Sequence, residues 1–107
     1  MKVLSPFDLL NMFEDMTPGE RKVYHVGSIR YDRGSDRKAQ VNLDLWKLAT
    51  ITRILEREGF AILCMRKVDD FVYEHYIQKR SGVEQVPKWI SDEAEKLEHR
   101  TNIGGMI

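Results

Sequence analysis

The chain has 107 residues, enough for one domain around one core. Hydrophobic residues make up 42% and charged residues 32%, with 17 cations against 17 anions, which excludes a disordered composition and any strong chain-wide attraction to nucleic acid or anionic membrane. The one cysteine, Cys64, has no disulfide partner and no apolar run nears the ~20 residues that span a bilayer, so stability must come from packing and a reducing, cytoplasmic setting is expected.

The N-terminal residues lack a secretory pattern, since polar and acidic residues soon interrupt their short apolar patch. Ser5-Pro6-Phe7-Asp8 reads as a helix start: Ser5 caps the free amides, Pro6 suits the first helical position, and Asp8 meets the positive end of the dipole. Phe7, Leu10 and Met16 share one side of this helix, with Leu9, Met12 and Phe13 next to it, and the helix fades near Asp15. Thr17-Pro18-Gly19-Glu20 repeats the capping logic, but Gly19 weakens any helix that follows, so one helical turn and a tight turn both fit.

Residues Val23 to Tyr31 form a strand rich in β-branched and aromatic residues, and Gly27 within it signals a bulge or a close backbone approach. A polar loop, Asp32 to Asp36, follows. The central helix runs over Val41–Gly59, with Asp36 or Asn42 as its cap and Val41, Leu45, Leu48, Ile51 or Thr52, and Leu55 as its apolar stripe. Gly59 ends it at low conformational cost.

Phe60–Arg66 and Phe71–Lys79 read as a hairpin joined by Lys67-Val68-Asp69-Asp70. An even-numbered turn sets Ile62 opposite His75 and Cys64 opposite Tyr73. Phe60, Ile62, Cys64, Phe71, Tyr73, His75 and Ile77 then share one side of the sheet. Both sides carry apolar residues, so helices or a partner are expected over part of each. Ser81-Gly82 breaks the pattern, Pro87 to His99 reads as a last helix carrying Trp89, Ile90, Ala94 and Leu97, and Thr101 to Ile107 reads as a tail. The expected fold is α+β: a small three-stranded antiparallel sheet with the central amphipathic helix packed on it and terminal helices, in the order α-β-α-β-β-α. Residues 1–100 are expected to form the one domain and 101–107 a flexible tail.

The strongest functional signal lies on the central helix. About half a turn from the main stripe, Leu43, Trp46 and Ile54 alternate with Lys47, Thr50, Arg53 and Arg57. Aromatic and Arg residues are enriched where partners bind, so Leu43, Trp46, Lys47, Arg53, Ile54 and Arg57 are the candidate partner-binding residues. The competing reading is that a terminal helix covers this side. With the hairpin as a wing and Arg66, Lys67, Lys79 and Arg80 near its ends, the same strip has the charge for DNA phosphates, although Asp44, Glu56, Glu58, Asp69 and Asp70 lie among the cations.

Enzymatic signals are thin. Cys64 and His75 are candidate diagonal neighbours in a thiol–imidazole pair, against the commoner role of a small cysteine in the core. His25, His75 and His99 lack metal-ligand spacing, and no glycine pattern cradles phosphate, so no metal and no cofactor are expected. Tyr24-His25-x-Gly27 followed by Tyr31-Asp32-Arg33 is a second cluster of interest: Asp32 beside Arg33 at the strand exit reads as a loop-closing ion pair, with a recognition edge as the functional alternative.

Tyr24-His25-Val26-Gly27-Ser28-Ile29 leading to Tyr31-Asp32-Arg33, an Ala49-containing helix, and a hairpin from Ala61-Ile62-Leu63-Cys64-Met65-Arg66 to Tyr73–Ile77 resemble small proteins encoded by bacteriophages and prophages. The resemblance covers about residues 23 to 80. It implies an accessory protein that binds and inhibits a host protein, as anti-CRISPR proteins do, and it assigns no role to any residue here. The functional expectation is a non-catalytic protein that docks on a macromolecule, foremost a host protein. A winged-helix-like DNA-binding regulator is the alternative, and a homodimer through the Trp46 strip is a further option.

Overall fold

The computed structural model describes residues 4–28, 36–70, 72–82 and 85–101, the side chains of 28 and 36–42 apart. The elements are α1 (Pro6–Asp15), β1 (Arg21–Ser28), α2 (Asp36–Arg57), β2 (Ala61–Asp69), β3 (Val72–Lys79) and α3 (Lys88–Glu98). They form an α+β fold in the expected order, with an antiparallel sheet in which β3 lies between β1 and β2. The Tyr31-Asp32-Arg33 cluster, the Val41 and Asn42 side chains, Phe71 and the tail from residue 102 lie outside the described residues.

Helix α1 starts as its sequence dictates. Ser5 Oγ accepts from the Asp8 amide at 3.1 Å while the Ser5 amide donates to Asp8 Oδ2 at 3.3 Å, a reciprocal cap worth about 1 kcal/mol. Leu9, Leu10 and Phe13 turn inward, whereas Phe7 is exposed, so the apolar stripe lies one residue round from the expected Phe7–Leu10 side. Thr17–Glu20 is a turn: the Thr17 amide donates to Glu20 Oε1 at 2.9 Å, Gly19 adopts φ +86°, and the chain enters β1 directly.

The core is built by Leu9, Leu10 and Phe13 of α1, Leu48, Ile51 and Leu55 of α2, Ile90, Ala94 and Leu97 of α3, with Ala61 and Ile77 from the sheet. In the ladder Ala61 pairs with Lys79 and Leu63 with Ile77, which sets the buried strand residues on one side, facing the helices. Val23 and Ile62, on the other side by the same alternation, are 39% and 43% exposed. Of the expected cover by helices or a partner, the helices therefore supply one side of the sheet, and among the described residues none lies over the other.

Helix ends are tied by side chains from other elements. Lys79, only 3% exposed, donates from Nζ to the Glu14 carbonyl at 2.8 Å and lies 5.6 Å from the centre of the Phe13 ring. A cation on an orphan carbonyl at the negative end of α1 satisfies both groups. Glu98 Oε1 accepts from the Phe7 amide at 3.0 Å at the positive end of the same helix, and Lys47 Nζ donates to the Glu98 carbonyl at 3.3 Å. Among the described residues no helix is long and apolar enough to cross a membrane.

The hairpin register differs from the expected one. Strand β2 runs on to Asp69, which pairs with Val72, so the connection is shorter than the expected four residues Lys67–Asp70. A bulge between Lys67 and Asp69 absorbs one residue. Ile62 therefore pairs with Gln78, Cys64 with Tyr76 and Met65 with His75, a shift of three positions from the expected pairs. An odd shift exchanges the faces of one strand relative to the other. The proposed diagonal Cys64–His75 pair is thereby corrected: the two sit one ladder position apart, where strand alternation points side chains to opposite sides.

Candidate functional site

Helix α2 crosses the inner side of β2, and the side of it next to the buried stripe looks into an open cleft against the far part of the sheet. Ala49, Thr52 and Arg53 of α2 face Tyr24 of β1, Leu63 and Met65 of β2 and His75 of β3 around a volume of about 330 Å3, with Cys64 at its border. Met65 is 61% exposed and Arg53 is exposed, so the mouth of the cleft is formed by a thioether and a guanidinium.

The cleft's imidazole and phenol groups are gathered by a bulge. Val23 pairs with Tyr76 and His25 with His75, leaving Tyr24 as an extra residue in β1. At a bulge two consecutive residues oppose one on the partner strand, which brings both Tyr24 and His25 against His75. The Tyr24 and His75 ring centres are 6.0 Å apart, and those of His25 and His75 are 5.4 Å apart with planes inclined at 33°. Gly27 makes room for this: a Cβ there would overlap His25 Nε2 and lie 3.0 Å from Cε1. Gly27 thus accompanies a bulge and a close approach together, and the approaching group is a side chain.

Two titrations are displaced. Burial pushes the Tyr24 hydroxyl above its ordinary value, opposed in part by a hydrogen bond with Thr52 and by the Arg53 charge. Burial, reinforced by the neighbouring His75, holds the His25 imidazole below its ordinary value. The Thr52 hydroxyl also donates to the Ala49 carbonyl at 3.1 Å, so this fully buried polar group is satisfied within α2.

The six residues chosen from the sequence divide into two groups. Leu43 is 8% exposed, Trp46 packs half-buried against the core with the Arg100 guanidinium 5.6 Å over its ring, and Lys47 is engaged with the end of α3. Ile54 is half-buried against the core as well. Arg53 and Arg57 are exposed; Arg57 Nε lies 3.9 Å from Glu58 Oε1, and Arg53 lines the cleft. Tyr24 and His25 belong to the cluster that the sequence marks as a candidate recognition edge and His75 to its thiol–imidazole pair, but the sequence does not bring them together with Met65 in one site. Their signal was the glycine-marked irregularity in β1, but the His25–His75 pairing joins residues 50 positions apart, which no local pattern encodes. Among the described residues no group of three or more His, Cys, Asp or Glu is placed to hold a metal ion.

Comparison with known proteins finds no family model, no curated protein and no solved structure that matches the chain.

Proposed function

We propose that the protein is a non-catalytic binding protein that docks on another protein and takes a side chain or short segment of it into the α2–sheet cleft. The observation that carries this reading is the exposed Arg53 beside an open cleft lined by Tyr24, Leu63, Met65 and His75. Tyr, Met and Arg are the residue types enriched at interface centres, and apolar walls with a cation at the mouth suit an apolar side chain next to a carboxylate. Docking that inhibits a host protein, the role implied by the phage-type resemblance, asks for no catalytic group. Because Leu43, Trp46 and Lys47 are engaged internally, this reading puts the contact surface on the Arg53 side of α2 rather than on the Trp46 strip.

The second reading, a winged-helix-like DNA binder, is favoured by α2 leading through a short turn into a hairpin that bears Arg66 and Lys67. It is weakened by Glu74 3.0 Å from Arg66 and by Glu56, Glu58, Asp69 and Asp70 close by in the sequence.

Both readings are tested with wild type and Arg53→Glu, a change at an exposed position. Affinity capture from the host's lysate should retain a protein with wild type and lose it with Arg53→Glu, and duplex DNA should bind neither at low salt. A salt-sensitive affinity for DNA that falls in the variant would replace the docking reading with the second one. Identical captures from the two chains would remove the cleft as the contact surface.

A further inference from the structure

Strand β2 is an edge strand: β3 is its one strand neighbour among the described residues. Its ladder phase follows from two bonds. The Arg80 amide donates to the Phe60 carbonyl at 3.0 Å, so the 60/80 pair is a hydrogen-bonded one, and the Lys79 amide donates the other way, to the Glu20 carbonyl at 3.1 Å. Hydrogen-bonded and non-bonded pairs alternate along an antiparallel ladder. Ile62, Cys64 and Arg66 therefore point their amides and carbonyls at β3, and Leu63, Met65 and Lys67 point theirs at the free edge.

That edge also carries exposed apolar side chains: Ile62 at 43%, Met65 at 61% and Val68 at 49%. A long edge with apolar residues is a template for another strand unless something restricts it. Here charge restricts it. Antiparallel pairing of β2 with itself about a two-fold axis through Met65 sets Met65 opposite Met65 of the second copy and Leu63 opposite its Lys67, all within the regular stretch before the bulge. The outward amides and carbonyls of each strand then meet those of the other. A slide of two residues in pairing toward the hairpin tip puts Arg66 opposite Arg66, and the next puts Lys67 opposite Lys67, which like charges disfavour. The Met65-centred register uses the regular stretch of β2 that precedes the bulge at Val68 and sets no like charges opposite each other.

We propose that the chain forms a two-fold homodimer by antiparallel pairing of β2 with β2 of a second copy, centred on Met65, giving one continuous six-stranded sheet. Dimerisation through this edge does not depend on whether the cleft takes a protein partner, and its test involves no partner.

The experiment is sedimentation equilibrium of wild type, Met65→Pro, Met65→Lys and Val23→Lys, from about 10 µM to about 500 µM. Proline at 65 deletes an amide that the β2–β3 ladder does not use, so the fold should persist by circular dichroism while the dimer is lost. Lysine at the exposed Met65 side chain opposes itself across the two-fold axis and should raise the dimer dissociation constant at least about tenfold. Val23→Lys, on the other edge strand, should leave the dimer intact. If Met65→Pro fails to fold, Met65→Lys carries the test. A wild-type chain that stays monomeric over the whole range, or a dimer that withstands Met65→Lys, overturns the proposal.

Discussion

At the scale of single residues, the His25–Gly27–His75 contact makes stability depend on pH. The His25 imidazole is held below its ordinary value of 6.5 by burial first and by His75 second. An unfolded chain protonates this group near 6.5, whereas the folded chain resists until a lower pH. Between the two values the unfolded state binds more protons, so stability is fully present above about pH 6.5 and falls as pH drops through the window below it. Glu20, lowered from 4.5 chiefly by the Thr17 amide, acts in the same direction, but its contribution is lost only as pH falls below about 4.5. Urea midpoints at pH 7.5 and 5.5 should show wild type weaker at pH 5.5, with a smaller difference in His25→Gln. An equal difference in both chains would mean that His25 titrates freely and that its packing over Gly27 is loose.

At the scale of elements, α2 shows where sequence reading succeeds and where it stops. Its stripe of Leu48, Ile51 and Leu55 was legible because burial against a sheet imposes a helical period, and all three are fully buried. The Leu43–Trp46–Lys47 side is ambiguous in sequence because its fate depends on the docking of α3: Arg100, just past the end of that helix, lies over Trp46, and the Glu98 carbonyl accepts from Lys47. Trp46→Ala should therefore cost about 2 kcal/mol in a denaturant titration, below the 3–5 kcal/mol typical of a fully buried Trp because this ring is half-covered. A change under about 0.5 kcal/mol would return Trp46 to the surface reading. The cap at Ser5, the end at Gly59 and the order of the six elements are likewise local and legible. The hairpin register was not. It turns on where β2 ends and on a bulge at Val68, and propensity does not distinguish a strand ending at Arg66 from one ending at Asp69. The candidate cleft stayed hidden for a related reason, since the β1 bulge that turns Tyr24 and His25 the same way is set by pairing with β3.

At the scale of the whole molecule, the helices form a layer over one end of the sheet and leave the hairpin's far end to itself. Ala61, Ile77 and Lys79 are buried beneath them, whereas every residue from Met65 to Asp70 is exposed. Opening free energy follows buried apolar contact, so the two ends of the sheet should open by different routes. The Ile77 amide, inside the core-facing part of β3, should exchange only when the whole chain unfolds. The Arg66 and Glu74 amides form the same kind of hydrogen-bonded pair, backed by the Arg66–Glu74 ion pair at 3.0 Å and the Tyr76 hydroxyl on Glu74, but these contacts lie on the uncovered side and are screened by water. Native-state hydrogen exchange on dilute protein should therefore find Arg66 and Glu74 exchanging at least about 100-fold faster than Ile77, with a weak dependence on denaturant that marks local opening. Equal rates and equal denaturant slopes would make the hairpin one cooperative unit with the core. The uncovered network would then be holding the strands together as firmly as the helices hold the other end.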